Sequence, residues 1–577
     1  HLLGSWRFFA LTDALKILRA VVVAVAAFLL ITFLIVRLEG MPRSVPVITA
    51  FIMAAGMISA RVAYRIVAEG ALTKLLQNRQ LTGRPFVLAY GFNGYTEDFI
   101  RVATASSEGP IPVGIIEDDK THRRKLMRGV PVLGRIEDLD MAIARLKAAR
   151  VVVDQIVIPE GAMAPSLVSR VIDAASAAGL RVSKLPDARS VLASTPDNVT
   201  ALRPVKIEDL IKRSEVRLDI TAIGAEIEGK VIAVTGAGGS IGSEICRQVL
   251  SFKPRRMLLV DNTEYNLYQI ERELAALDPN CIITPSLASV AHPTRIRQLF
   301  AEVKPDIVFH AAAYKHVPMV EANPVEGVRT NVIGTANTAQ AALAAGVKAF
   351  VMISTDKAVN PESVMGATKR LAEAYCQAHD ALSAQSAAGT RFITVRFGNV
   401  LWSSGSVVPL FEEQLRKGGP LTVTHEDIKR YFMTIPEAVQ LVLSASAYGL
   451  NKATTRGEVF VLDMGEPVRI VDLASHMIRL AGLRPNQDIE IRITGLRPGE
   501  KLLEELFDPS EHVEKTGADR VLQASPLVLE AASLDATIKD IQEACEGGDT
   551  RLIKELLWGV VSRYKTAEPS AARAAAG

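Results

Sequence analysis

Lys230-Val231-Ile232-Ala233-Val234-Thr235-Gly236-Ala237-Gly238-Gly239-Ser240-Ile241-Gly242 is the stretch on which the reading of this chain turns. Residues 231–234 are an apolar run that fits a buried parallel strand. A glycine-rich turn follows, and a helical pattern opens from Ser243. Glycine permits a tight turn and close backbone approach, while a helix N-terminus presents unpaired N–H groups to an anion. Thr235-Gly236-x-x-Gly239-x-x-Gly242, set between strand and helix, predicts a pyrophosphate cradle for a dinucleotide. Thr235, Gly236, Gly239, Ser240, Ile241 and Gly242 are its candidate residues.

Working outward, residues 257–260 read as a second strand that ends at Asp261, 19 residues beyond Gly242. A carboxylate there accepts from ribose hydroxyls and repels a 2′-phosphate, so NAD is expected rather than NADP. The alternative for Asp261 is a strand-end cap. Residues 306–310 form the next strand and run into Ala311, Ala312 and Ala313, whose small side chains let backbone pass close to a cofactor. Residues 350–353 lead into Ser354-Thr355-Asp356-Lys357, and Met365-Gly366-Ala367-Thr368-Lys369 follows. In doubly wound sheets ligands bind at the C-terminal ends of strands, which is where these polar groups fall. Asp356 and Lys357 pair a candidate acid with a candidate base; the alternative is an ion pair at a strand end.

Upstream, residues 86–89, 113–116, 130–133, 151–153 and 155–158 are short apolar runs separated by helical patterns. They predict a second parallel sheet. Its first turn, Tyr90-Gly91-Phe92-Asn93-Gly94-Tyr95, lacks GxGxxG and carries aromatics that crowd a pyrophosphate. A non-catalytic, degenerate Rossmann-like domain is expected. Residues 20–36 (AVVVAVAAFLLITFLIV) contain one polar side chain, and 17 residues at about 1.5 Å each span about 26 Å, close to one bilayer hydrocarbon core of about 30 Å. Residues 46–62 are a second apolar stretch. Together they predict a transmembrane helical hairpin, with a buried helical pair as the alternative. Arg7, Lys16 and Arg19 before it, and Arg61, Arg65, Lys74, Arg79 and Arg84 after it, outnumber Arg37 and Arg43 in the loop. That bias places both ends in the cytoplasm.

The chain has 577 residues, 49% hydrophobic and 22% charged, with net charge +3. This composition excludes disordered and collagen-like classes, and the charge gives no argument for nucleic acid. Mean hydropathy of +0.21 agrees with a membrane segment. Cys246, Cys281, Cys376 and Cys545 are widely spaced, so neither a metal site nor a disulfide framework is expected, and a reducing compartment is. A start at His1 suggests a missing N-terminus.

The runs HAAAYKHVPMVE, STDKAVNPESVMGATKRLAEAY, RFGNV, RYFMTIPEAVQLV, FVLDMGEPVRIVDLA and GLRPGEKLLEEL extend these motifs. With TGxxGxxG they resemble the extended short-chain dehydrogenase/reductases, and most closely the large membrane-bound UDP-N-acetylglucosamine 4,6-dehydratases of bacterial polysaccharide and glycan synthesis. The resemblance covers nearly the whole chain. It implies a redox-neutral reaction: hydride leaves C4, water is lost across C5–C6, and hydride returns to C6. It implies Asp356 as acid, Lys357 as base, and Lys369 on the nicotinamide ribose. Met365 stands where the wider family has tyrosine, so another group takes the C4 hydroxyl proton: Thr355 directly, or through water or Asp356. Lys315 and His316, beside Tyr314, are candidates for the sugar pocket. Asn331 resembles the asparagine supporting the active-site backbone, and Asn399 opens the substrate region. Arg430 and Arg497 are candidates for the diphosphate and Glu500 for ribose hydroxyls. Surface salt bridges are the alternative for these three.

Two positions depart from the family pattern: Ser289 where an aspartate near adenine is usual, and Trp402 where a small residue is. The organisation expected is a hairpin (1–80), a Rossmann-like domain (84–185), a connector (186–229), an NAD-binding catalytic domain (230–400), a UDP-sugar-binding region (401–565) and a disordered tail (566–577). The placement expected is the inner membrane, multi-pass, with the catalytic domain in the cytoplasm, as a homo-oligomer. A UDP-sugar 4-epimerase, an initiating sugar transferase and a non-catalytic nucleotide-sugar sensor are the competing readings.

Overall fold

The structure is a computed structural model. It describes residues 84–565 except 106–108, 124, 160–164, 186–201, 212–218, 386–388, 452–455 and 510, together with residues 21, 23–31, 34–35, 42, 44–45, 47–53, 55–56 and 59. The described residues fall into two units, one comprising 1–85 with 107–111 and the other the remainder.

In the first unit, residues 23–31, 34–35 and 47–53 are helical. Val23, Leu30, Leu34, Ile35, Val47, Phe51 and Ile52 are all more than half exposed. Among the described residues no helix is long and apolar enough to cross a membrane, so the spanning hairpin is not found there. Much of the sequence that would complete it, residues 1–20 and 60–83, lies outside the described residues, as does the tail 566–577.

The second unit holds two large sheets. The first has seven strands: Phe86–Tyr90, Ile111–Ile116, Leu126–Met127, Val130–Gly134, Val153–Pro159, Arg181–Leu185 and Arg203–Pro204. Phe86–Tyr90, Val153–Pro159 and Arg181–Leu185 pair in parallel. At the C-terminal end of Phe86–Tyr90, the backbone N–H groups of Phe92 and Asp119 both donate to the Glu117 carboxylate, and the Phe92 ring stacks on His122 at 4.5 Å. A protein carboxylate and an aromatic pair thus occupy the turn where a phosphate cradle would form.

The second sheet has nine strands in the spatial order Ile282–Leu287, Arg256–Asp261, Val231–Thr235, Ile307–His310, Ala349–Thr355, Arg391–Phe397, Val459–Leu462, Val521–Ser525, His512–Lys515. The first seven are parallel, and Val521–Ser525 pairs antiparallel with both Val459–Leu462 and His512–Lys515. In chain order the first six run 3-2-1-4-5-6, the doubly wound arrangement, with its reversal between Val231–Thr235 and Ile307–His310. In such sheets ligands bind at that switch point. Every residue of Val231–Thr235 is buried, as an apolar strand covered on both faces requires. Three two-stranded ladders and the helices Val407–Arg416 and Ile470–Leu480 build a smaller lobe around Phe411, Leu421, Phe432 and Ile478. The helices Ala531–Gly547 and Thr550–Lys565 instead join the core of the large sheet, alongside Leu371 and Tyr375 of helix Val364–Ser383. Arg479 donates to Asp173 at 2.6 Å, so the small lobe also touches the first sheet's helix Pro165–Ala177.

Candidate active site

The glycine turn has the geometry its spacing predicts. Gly236 has φ +69, and a Cβ there would lie 2.8 Å from backbone atoms of Ala312. A Cβ on Gly242 would lie 2.0 Å from the Gly236 carbonyl oxygen. No other residue fits either position. Gly239 caps helix Ser240–Ser251 in extended backbone, leaving the first N–H groups of that helix at the turn. Asp261, 8% exposed, braces the loop: Oδ2 accepts from the Gly238 N–H at 2.9 Å and Oδ1 from the Thr263 N–H at 2.8 Å. The two readings of Asp261, loop brace and ribose acceptor, are compatible, because each oxygen keeps a further lone pair.

Thr235 is turned into the core. Its hydroxyl lies 2.8 Å from His310 Nδ1, and His310 Nε2 lies 3.0 Å from the Thr335 hydroxyl. Thr335 donates its own proton to the Asn331 carbonyl, so His310 donates from Nε2 and accepts at Nδ1 from Thr235. Burial, aided by Lys369, draws the His310 pKa down to about 3 and keeps the ring neutral. Asn331, fully buried in a π-helical turn, clamps Tyr314. Oδ1 accepts from the Tyr314 N–H at 2.8 Å, and Nδ2 donates to the Tyr314 carbonyl at 2.9 Å and to Thr368 at 3.0 Å.

These elements surround a cavity of about 1050 Å³. That is at the top of the range of roughly 300–1,000 Å³ typical of small-molecule sites. Its wall brings together Gly239, Ser240, Ile241, Gly242, Ala311, Ala313, Lys315, His316, Thr355, Lys357, Met365, Lys369, Asn399, Arg430, Arg497 and Glu500. Gly236 and Ala312 pack against each other behind the turn, and Thr235 and Asp261 support it from the core side. Ser289 is not in the wall; its hydroxyl accepts from the Ala291 N–H at 3.2 Å and shapes the loop after Ile282–Leu287.

Strand Ala349–Thr355 ends in a 3₁₀ turn, Asp356–Ala358, which sends consecutive side chains in different directions. Lys357 enters the cavity wall. Its Nζ donates to Asp356 Oδ1 at 2.9 Å and to Asn399 Oδ1 at 3.0 Å. Asp356 is fully buried beneath it and does not line the cavity. Its Oδ1 also accepts from the Thr355 hydroxyl at 2.8 Å, and its Oδ2 has no hydrogen-bond partner among the described residues. A Cβ on Gly398 would come within 3.1 Å of that oxygen, so the glycine backbone closes over it. Beneath the strand, Ser354 donates to Glu373 at 2.6 Å, and Glu373 is bound by Arg396 and Arg370 at 2.8 and 3.0 Å. Burial opposes that carboxylate's charge, yet the guanidiniums hold its pKa down to about 2. This buried network ties strand Ala349–Thr355 to helix Val364–Ser383.

Met365 and Lys369 lie one turn apart on that helix, 2% and 5% exposed. Lys369 Nζ donates to the Ile353 carbonyl at 2.7 Å, and burial draws its pKa to about 8. Lys315 is lowered by crowding of its head group and then by Lys357, although the residue as a whole is exposed. His316 packs under Gly405 and is lowered by burial and by Lys315. Arg430 donates to the Lys429 carbonyl at 2.7 Å and faces Glu500 at 3.5 Å. Glu500 accepts from Thr424 at 3.1 Å, and Arg497 is exposed at the rim. Trp402 has φ +61, a strained conformation for a bulky residue. It precedes Ser404, whose N–H donates to the Ser240 hydroxyl at 3.2 Å and so links the small lobe to the start of the glycine-loop helix.

Sequence reasoning missed three contributors. Glu504, 5% exposed in the cavity wall, lies 3.9 Å from Lys357 Nζ. Its position within the GLRPGEKLLEEL run was the only signal. His310 was hidden as the last residue of a strand, where a histidine amid apolar residues was the clue. Ser404 carried none.

Fold and cavity together define an α/β protein with a dinucleotide-type glycine turn that opens on a cavity between the large sheet and the small lobe. A family model described as polysaccharide biosynthesis protein matches residues 232–526. The probable polysaccharide biosynthesis protein EpsC of Bacillus subtilis is 40% identical over 454 residues, 78% of this chain and 73% of that protein. The capsular polysaccharide biosynthesis protein CapD of Staphylococcus aureus is 45% identical over 402 residues, 69% of this chain; the match spans just under two thirds, 64%, of CapD. A UDP-N-acetylglucosamine 4,6-dehydratase (inverting) of Campylobacter jejuni is 32% identical over 278 residues, 48% of this chain and 77% of that protein. The chain belongs to the polysaccharide biosynthesis protein family.

Proposed function

We propose that this chain is a nucleotide-sugar dehydratase that converts UDP-N-acetylglucosamine to a UDP-4-keto-6-deoxy-hexosamine for polysaccharide or glycoprotein glycan synthesis. The observation that carries the reading is one wall holding Thr355, Lys357, Asn399 and Met365 beside the glycine turn. The similarity to a protein named as this dehydratase supports the substrate.

The turn fits a nicotinamide dinucleotide, because the space beside Gly236 and Gly242 excludes any side chain and the helix N-terminus faces it. Asp261 favours NAD over NADP. The cofactor supplies a hydride acceptor at C4 and donor at C6. Lys369, whose pKa burial draws to about 8, supports the nicotinamide ribose. Thr355 can pass the C4 hydroxyl proton toward Asp356 through the 2.8 Å hydrogen bond between them. Lys357, held by Asp356 and Asn399, is the base for the C5 proton. Met365 fills the wall without ionising, which disfavours an epimerase that uses a tyrosine base. Arg430, Arg497 and Glu500 form the rim suited to a nucleoside diphosphate. The exposed apolar helical residues of the first unit support attachment to the cytoplasmic face of the membrane, and a homo-oligomer is part of the same reading.

The test is incubation with UDP-N-acetylglucosamine and NAD⁺ in D₂O, followed by proton NMR. A 6-deoxy-4-keto product with deuterium at C5 is expected. UDP-N-acetylgalactosamine would mean epimerisation, and an unchanged sugar would reject the assignment.

A further inference from the structure

Helix Ile470–Leu480 runs from the cavity to the domain of the first sheet. At its start Ile470 lines the cavity, and its N–H donates to the Ile428 carbonyl at 3.0 Å. The strand just before it, Val468–Arg469, pairs antiparallel with Lys429–Arg430, so the backbone of Arg430 is held opposite Val468. At about 1.5 Å per residue, Arg479 stands about 14 Å further along the axis. There it donates to Asp173 at 2.6 Å. One turn back, His476 Nε2 lies 2.6 Å from the Ser169 hydroxyl and 3.9 Å from Asp173 Oδ1. Ser169 and Asp173 are one turn apart on helix Pro165–Ala177. Beside these polar contacts, Leu480 packs against both the core of the first sheet and the core of the small lobe. Leu210 of the connecting helix Ile207–Ile211 does the same. The helix buries Leu473, Ala474, Met477 and Ile478 in the lobe itself.

We propose that the first-sheet domain is a buttress for the sugar-nucleotide wall, with Asp173 and Ser169 as positioning residues that act through helix Ile470–Leu480 on Ile470 and Arg430. The inference rests on the reading of the cavity as a sugar-nucleotide site. A close-packed helix moves as one piece, so fixing its far end fixes the end that lines the cavity. The glycine turn, Thr355 and Lys357 belong to the large sheet instead. A disturbance at Asp173 therefore reaches the wall of the sugar nucleotide and leaves the cofactor turn in place. This gives a use to a sheet whose own turn is filled by Glu117 and by the Phe92–His122 stack.

The size of the effect follows from exposure. The Arg479 and Asp173 side chains are 28% and 48% exposed. Losing the attraction of a pair this open to water shifts an equilibrium by about fivefold at most. Reversing one charge replaces attraction by repulsion and does more than removing it.

In the full chain, Asp173→Arg sets two guanidiniums against each other. With NAD⁺ present, the calorimetric Kd and the KM for UDP-N-acetylglucosamine are expected to rise about three- to tenfold, with a smaller change in kcat. The Kd for NAD⁺ should stay within about twofold, and adding Arg479→Asp to Asp173→Arg should restore substrate affinity. Asp173→Asn removes the charge without a clash, should raise the same Kd by about two- to threefold, and serves if the arginine variant does not fold. Unchanged substrate affinity in these variants, NAD⁺ affinity falling in step with it, or a double variant no tighter than Asp173→Arg overturns the proposal. Coupling is reciprocal, so UDP-N-acetylglucosamine bound to the wild type should also slow amide exchange in Pro165–Ala177, outside the cavity wall. Unchanged exchange there, with the sugar nucleotide bound, overturns the proposal as well. A wild type that binds NAD⁺ but not UDP-N-acetylglucosamine would reject the sugar-nucleotide reading instead, which keeps the two failures apart.

Discussion

Lys369→Met distinguishes what this lysine does for the site from what it costs the fold. Lys369 is 5% exposed, and its Nζ donates to the Ile353 carbonyl at 2.7 Å. Burial draws its pKa from 10.5 to about 8, against the pull of Glu373. Between those pH values the unfolded chain holds a proton that the folded chain does not. Stability contributed by this group therefore rises with pH from about 8 to 10.5, and the penalty is fully present below pH 8. At about 1.4 kcal/mol per tenfold change in proton affinity, the penalty is ~3 kcal/mol. Methionine removes it, but also removes a charged hydrogen bond worth about 1.5–3 kcal/mol. The two nearly cancel at pH 7, so the pH dependence is the decisive quantity. Relative to the methionine variant, the wild type should gain ~3 kcal/mol between pH 7 and 10.5. Urea unfolding of both proteins, followed by circular dichroism at pH 7, 8.5 and 10.5, measures this. The difference between the two cancels the titration of every other group. A difference flat across that range would refute a buried lysine with its pKa lowered to about 8, whatever the variant does to activity.

Three further outcomes follow from the same geometry. Gly242→Ala places a methyl 2.0 Å from the Gly236 carbonyl oxygen, and it should cost about 1–3 kcal/mol and abolish NAD⁺ binding in calorimetry. Asp261→Asn keeps one acceptor oxygen for two N–H donors, so a loss of about 1–3 kcal/mol and weaker NAD⁺ binding are expected; unchanged thermal stability would remove Asp261 from the loop. His310 is held neutral in the fold, with its pKa drawn to about 3, so stability from this group is lost as pH falls from 6.5 toward 3. His310→Phe should destabilise the protein at pH 7 by leaving the buried Thr235 hydroxyl without its acceptor, and should flatten that acid limb in thermal melts.

The turn from Gly236 to Gly242 was legible because its constraints are local. Positive φ and a backbone approach of a few ångströms leave only glycine, and the flanking strand and helix patterns name the place in the sheet. The strand alternation foretold the parallel sheet for the same reason. What the sequence withheld depends on direction. Asp356 and Lys357 are neighbours in the chain, and adjacency suggested that both faced a substrate. A 3₁₀ turn after strand Ala349–Thr355 instead buries one and sends the other into the cavity wall. No periodicity encodes that separation. Glu504 is separated from Lys357 by 147 residues and sits in an irregular segment, so neither propensity nor spacing joins them; only the closed small lobe does.

The separation of Asp356 from the cavity has a physical use. A carboxylate placed in the wall would be free to pair with any cation of the substrate or solvent, and its charge would vary with occupancy. Beneath Gly398, with Thr355 and Lys357 both on Oδ1, it is a carboxyl with one fixed set of partners. It can hold the Lys357 head group against Asn399 in one direction, which a base acting at a single carbon requires. The buried Ser354–Glu373–Arg396 network beneath the same strand extends that rigidity into the core, where low exposure keeps water from competing for the charges. On the dehydratase reading the base, Lys357, stands at the wall, and the groups that hold it in place are buried behind it.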